Sequence, residues 1–260
     1  MPTPTLYGAF HVAWFAFFII AAILLGVFHK KGSDKRVVWI VFGTAVVVTL
    51  LEIYKQINFT FTVGDTGIVA DYQWYAFPWQ FCSMPMYVGL LAGIIRKGKV
   101  HDALCAFLAT YAIFAGACVM FYPGDVFVPE VGINIQTMVC HGSMITIGVY
   151  LLWSGHVKVE HKTILKALPV FAVAVAIACV MNDIAFKTGL LETEAFNMFY
   201  VSPHQPPHLP IYSLVQQAVP FPWSLIIYIL GFTAASYVIL LLAIAIKAVA
   251  GLVRKAAKKA

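Results

Sequence analysis

Seven apolar runs, each about as long as a membrane-crossing helix, divide this chain of 260 residues and leave little between them. A helix needs roughly 20 predominantly apolar residues to cross the hydrocarbon core, and a bilayer admits only structures that satisfy their own backbone hydrogen bonds. The runs lie at about 8–28, 37–59, 75–95, 102–122, 133–153, 164–185 and 221–247. With 62% hydrophobic and 11% charged residues, the chain lacks the polar surface that a soluble domain of this length requires. The expected fold is all-α: a polytopic membrane protein of about seven transmembrane helices. Residues 1–250 form a single transmembrane domain in this reading, and 251–260 a basic cytoplasmic tail. The first run has no positive leader and no small-residue cleavage site, so it reads as a retained span.

Charge sets the orientation. The net charge of +6 does not point to nucleic acid, because the basic residues form short clusters between apolar runs. Lys30, Lys31, Lys35 and Arg36 follow the first run, and Arg96, Lys97 and Lys99 the third. Lys158, Lys162 and Lys166 follow the fifth, and Lys247, Arg254, Lys255, Lys258 and Lys259 end the chain. Seven spans put these 15 of 17 basic residues on one side; only Lys55 and Lys187 fall toward the other. The positive-inside rule then places the N-terminus outside and the C-terminus in the cytoplasm of a multi-pass cell-membrane protein. The outer loops are acidic instead, with Asp65, Asp71, Asp125, Glu130, Glu192 and Glu194. The longest, about 186–220, carries Pro203, Pro206, Pro207, Pro210, His204 and His208, and reads as a connector or as a lid over an intramembrane site.

The five cysteines, Cys82, Cys105, Cys118, Cys140 and Cys179, all lie inside apolar runs and form no CxxC pair, which argues against a disulfide framework. Within the apolar runs no His-x3-His or Glu-x-x-His occurs, so no metal site and no cofactor are expected.

Ionisable groups in hydrocarbon cost a few kcal/mol or more, so those present face a cavity or a partner. Here they gather in the outer halves of the spans. Glu52, Lys55 and Gln56 share one face of the second span at i, i+3 and i+4, as a self-neutralising group or as a cavity lining. Cys82 lies roughly 10 Å below the outer end of the third span and His141 roughly 11 Å below that of the fifth, at about 1.5 Å per residue. Gln80 precedes Cys82, while Asn182 and Asp183 close the sixth span. Pro78 and Pro85 flank the cysteine; Pro85 is expected to kink the third helix and free the Phe81 carbonyl. Gly142, beside His141, permits close approach of another backbone or a substrate, and His11 is a further candidate for the cavity. A thiol and an imidazole at one depth form a nucleophile and base if they meet, and inert packing if they do not.

The run Pro78-Trp79-Gln80-Phe81-Cys82, then His141-Gly142, then Asn197-Met198-Phe199-Tyr200 with Pro203, and finally Pro220-Phe221-Pro222-Trp223, resembles the bacterial YwaF-type integral membrane proteins. These are related to the eukaryotic transmembrane protein 164 acyltransferases. The resemblance covers roughly 37–245 and implies a seven-helix fold with a buried Cys–His site. It also implies transfer of a fatty acyl chain between phospholipids by a Cys, a His and an Asn. On this chain Cys82 matches the nucleophile and His141 the base. The asparagine has no counterpart next to the cysteine, so Gln80, Asn182 or Asn197 becomes the candidate oxyanion or substrate-binding amide.

Two functions follow as expectations. One is a thiol-dependent lipid acyltransferase or acyl hydrolase, with membrane lipids as partners and substrates. The other is a transporter or receptor-like binder of a small molecule, with an outward cavity lined by Glu52, Lys55, Gln56, His141 and Asn182. A retinal-binding protein is disfavoured, because the last span has no mid-helix lysine.

Overall fold

A computed structural model of the chain describes residues 3–28, 34–64, 67–124, 126–206 and 209–257. Lys30, Lys31, Asp65, Asp125, Pro207, His208, Lys258 and Lys259 lie outside the described residues. The helices are α1 (Ala9–Phe28), α2 (Asp34–Asn58), α3 (Met84–Ile95), α4 (Lys99–Phe107), α5 (Ile113–Phe121), α6 (Val131–Trp153), α7 (Lys162–Lys187), α8 (Pro210–Ala218) and α9 (Trp223–Ala257). Leu108–Ala112 forms a π-helical turn that joins α4 and α5 into one rod. Among the described residues six helices are long and apolar enough to cross a membrane: α1, α2, the rod Lys99–Phe121, α6, α7 and α9. The protein is an all-α, multi-pass membrane protein. A small antiparallel hairpin, β1 (Phe61–Gly64) with β2 (Gly67–Ala70), follows α2.

The third run departs from expectation. Only Phe81–Ile95 is helical, a 3-10 turn at Phe81–Ser83 leading into α3. At about 1.5 Å per residue it reaches about 22 Å, short of a core about 30 Å thick. Pro85 does not kink a helix. It sits in the first turn of α3, where its missing N–H costs nothing, and the Phe81 carbonyl accepts from the Met84 N–H. Above it, Phe77–Gln80 is irregular backbone inside protein, tied by the Trp79 N–H to the Phe77 carbonyl (2.7 Å) and by the Tyr87 hydroxyl to that of Pro78 (2.9 Å). The last helix also runs longer than expected, carrying residues 251–257 of the basic tail as helix.

Helix α6 packs against α1, α2 and α5, while α4 lies on α7 and α2 on α3. Burial follows this order: 72% of the apolar stretch of α6 is buried against 11% of that of α9, whose Leu230, Leu242 and Ile246 face outward. The rod reaches α7 and α9 through Tyr111, which stacks between Phe107 and Phe171 and bonds the Thr233 hydroxyl at 2.7 Å.

The seam between α6 and the rod depends on glycine. A Cβ at Gly116 would stand 2.6 Å from the His141 carbonyl oxygen, and one at Gly148 the same distance from that of Leu108. Backbone cannot swing aside as a side-chain tip can. Gly116→Ala and Gly148→Ala should each destabilise the protein by about 1–3 kcal/mol, read by thermal unfolding in detergent. Gly43→Ala, which meets open space, should leave the midpoint near wild type.

Glu130 caps α6, its carboxylate accepting from the Gly132 N–H (3.0 Å), the Ile133 N–H and the Tyr54 hydroxyl (3.1 Å). Partial burial pushes its pKa up, but the two backbone N–H groups and the hydroxyl outweigh this and hold it below the ordinary carboxylate value. A depressed folded pKa gives stability that is present at neutral pH and lost as pH falls through that value. Glu130→Ala should cost about 1 kcal/mol at pH 7, with the gap to wild type closing in acid.

Candidate functional site

The Cys82 turn is built by what lies on both sides of it. Phe81 points into an aromatic cluster, 5.3 Å from Phe171, 5.3 Å from Phe232 and 6.0 Å from Phe199, ring centre to ring centre. Cys82 itself is partly exposed and lies beside the Ser83 hydroxyl. Its carbonyl oxygen accepts from the Cys140 thiol at 3.6 Å, which ties the turn to the middle of α6.

The three amides expected as oxyanion or substrate donors do something else: they clamp a loop. Gln80 donates to the Asn197 carbonyl (3.1 Å) and accepts from the Phe199 N–H (2.9 Å). Asn182, wholly buried, closes a two-bond ring with the backbone of Met198 at 3.0 and 2.7 Å. Asn197 accepts from the Ser202 N–H (2.9 Å) and donates to the Gln205 carbonyl (3.3 Å). Each amide thus has both its oxygen and its nitrogen engaged with loop backbone.

What they hold is strained. Phe199 and Tyr200 have φ of 56° and 57°, a left-handed conformation that bulky L-residues avoid at a cost of order 1–3 kcal/mol each. Phe196, Met198, Phe199 and Val201 are buried with the loop, so the outer connection folds down into the bundle at this point. Tyr200 comes within electrostatic range of Cys82. Strain of this kind is kept where the surroundings over-determine it, and here they do.

Glu52, Lys55 and Gln56 occupy the adjacent outer part of α2. Glu52 is buried, and both its oxygens are satisfied: Lys55 at 2.8 Å and Gln56 at 2.7 Å on one, Gln136 of α6 at 3.0 Å on the other. Gln56 also donates to the Ala76 carbonyl (2.9 Å) and accepts from the Tyr72 hydroxyl (2.6 Å). Thr49, Glu52, Gln56 and Met86 line a cavity of ≈ 250 Å³ on this side. Lys55 lies within electrostatic range of Cys82, Cys140 and His141.

His141 is buried on α6 with its Nδ1 2.7 Å from the Thr137 carbonyl oxygen. A carbonyl only accepts, so Nδ1 carries the proton and Nε2 presents a lone pair. That buried Nε2 has no hydrogen-bond partner among the described residues, Cys82 Sγ included. The structure thus brings Cys82 against Cys140, and His141 one residue further round the helix; sulfur and imidazole are not hydrogen-bonded.

A second cavity lies against α9. Phe114, Leu209, Tyr212, Tyr228, Phe232 and their neighbours line a groove of ≈ 330 Å³ between α5, α8 and α9. Its wall residue Phe232 also packs on Phe81, the residue before Cys82.

Other residues singled out in the sequence have structural partners. His11 joins α1 to α5, its Nε2 2.8 Å from the Met120 carbonyl. Asp183 pairs with Lys187 at 2.6 Å on the surface, and His204 stacks on Phe186. Sequence reasoning missed Gln136, the left-handed Phe199–Tyr200 pair, and a cluster of His101, Cys105 and His156 at the basic end. The i, i+4 spacing of His101 and Cys105 was the one local signal for that cluster.

A sequence model of the TMEM164 family matches residues 6–244, nearly the whole chain. No curated protein and no solved structure matches.

Proposed function

From the premise that the chain belongs to the TMEM164 family, we propose that it is a thiol-dependent lipid acyltransferase or acyl hydrolase, with Cys82 as nucleophile and His141 as base. The observation that carries this reading is the buried, unpartnered Nε2 of His141, held in the tautomer that can accept a proton. The apolar groove of ≈ 330 Å³ supports it, having room for part of an acyl chain, and its wall residue Phe232 packs on Phe81.

In the proposed reaction His141 Nε2 takes the proton of the Cys82 thiol, and the thiolate attacks the ester carbonyl of a membrane phospholipid. The ester C–O bond breaks, a lysolipid leaves with the proton from His141, and the acyl group stays on sulfur as a thioester. A second lysolipid hydroxyl or water then gives its proton to His141 and takes the acyl group, the thioester C–S bond breaks, and the thiolate recovers that proton. The resting site lacks the Sγ–Nε2 hydrogen bond, and closing that gap is a task for substrate binding, as in other sites that tighten only with substrate. Gln80, Asn182 and Asn197 act here as positioning residues, holding the Phe199–Tyr200 loop over the cysteine.

The transporter reading draws on the cavity beside Glu52. The saturated bonding of Glu52 argues against a solute carrying out an exchange there.

Intact-mass analysis after incubation with phospholipid vesicles tests the chemistry directly. We expect an added acyl mass that hydroxylamine removes and that maps to Cys82. An acyl adduct on another cysteine, or none under turnover conditions, would overturn the assignment.

A further inference from the structure

Three side chains that the Cys82 chemistry does not use converge at the basic end of the bundle. His101 and Cys105 lie one turn apart on one face of α4, and His156 follows the end of α6, where Gly155 (φ 80°) reverses the chain. Their ligand atoms all lie within 4.8 Å of one another. His101 Nε2 is 2.9 Å from His156 Nε2 and 3.5 Å from Cys105 Sγ. His101 and Cys105 are buried, and His156 is partly so.

The other ring nitrogens decide what this cluster can be. His101 Nδ1 is 3.0 Å from the Ala92 carbonyl oxygen, and His156 Nδ1 is 3.2 Å from Asp34 Oδ1. A carbonyl and a carboxylate only accept, so each ring keeps its proton on Nδ1. Neutral rings in that tautomer aim two bare lone pairs at each other across 2.9 Å. A hydrogen bond between them requires a second proton on one ring, hence an imidazolium in an apolar setting. A cation between the rings satisfies both lone pairs and the adjacent sulfur as well.

We propose that His101, Cys105 and His156 bind a divalent transition-metal ion of the zinc class. Imidazole and thiolate are the donors that suit such an ion. With metal–nitrogen bonds of about 2.0–2.1 Å and metal–sulfur bonds of about 2.3 Å, tetrahedral ligands stand roughly 3.3–3.6 Å apart. The 2.9 and 3.5 Å separations are close to that range. Asp34 and the Ala92 carbonyl supply the outer acceptors that orient metal-bound imidazoles. Three protein ligands leave a fourth position for water or an external ligand. The ion would fasten the start of α2, the end of α3, the start of α4 and the turn after α6. Cys82 and Ala92 are about 15 Å apart along α3, so this site and the cysteine site are separate.

The full-length protein, purified in detergent, stripped with a chelator and titrated with Co²⁺ as the probe, tests this. We expect one equivalent to bind with a thiolate-to-cobalt charge-transfer band. Cys105→Ser should lose the band, and His156→Ala, at a partly exposed turn, should lose stoichiometric binding. Asp34→Asn, which removes no ligand, should weaken affinity by about 10–100-fold. Absence of the band in the wild type, a band that survives Cys105→Ser, or unchanged affinity in a folded His156→Ala protein would overturn the site. A wild type that binds no Co²⁺ leaves the imidazolium as the state of the cluster. No readout depends on acyl transfer, so failure of either reading is visible without the other.

Discussion

Cys82→Ala is expected to abolish acyl exchange between phospholipid and a labelled lysolipid in nanodiscs, while the unfolding midpoint stays near that of wild type. Cys82 is a partly exposed residue, and its substitution removes one sulfur without opening a large cavity. The tie to α6 uses the Cys82 backbone oxygen, which alanine retains. His141→Gln should lower the rate by about 10²–10⁴-fold, the usual contribution of a general base. Loss of the imidazole should also flatten the pH–rate profile on its acidic limb, an effect that a packing role would not produce. Asn182→Ala provides the contrast. It should reduce stability and rate together, because it leaves the Met198 N–H and carbonyl without their buried partners. Full exchange by folded Cys82→Ala protein would sink the catalytic assignment.

Glu52→Ala is expected to be the most destabilising single change in the outer half of the bundle, by about 3–5 kcal/mol. The carboxylate is buried and joins α2 to α6 through Gln136, while neutralising Lys55 and orienting Gln56. Removing it leaves an ammonium and two amides short of an acceptor. Most of that cost is the orphaned charge and not the lost pair. Glu52→Leu combined with Lys55→Met should therefore recover much of the stability in a denaturation series. If Glu52→Ala unfolds at the wild-type midpoint, the network is solvated and the cavity beside it is open to water. That result would favour the small-molecule binding reading.

Much of the molecule could be read from composition and spacing. Apolar length gave the all-α membrane class, and the positions of five of the seven runs lie within a few residues of the observed helices. The third run failed because Pro78 and Pro85 do different work from a mid-helix kink: the helix simply begins at Phe81. The last run was cut short because basic residues end an apolar pattern without ending a helix. Gln80, Asn182 and Asn197 stood out as amides that need partners, but neither hydropathy nor spacing says which partners.

The chain by itself determined that it crosses a membrane, and it gave the expectation that Cys82, His141 and Glu52 belong to one polar layer. The physical reason is one-dimensional: transfer free energy and helix rise depend on residue type and position along the axis. The tertiary structure decided which side chains meet. It set the Cys140 thiol on the Cys82 carbonyl, turned the three amides onto the Phe199–Tyr200 loop, and gathered His101, Cys105 and His156 across 55 residues. Those pairings depend on rotation about each helix axis and on the packing of neighbours, and neither is recorded in the order of residues along a single span.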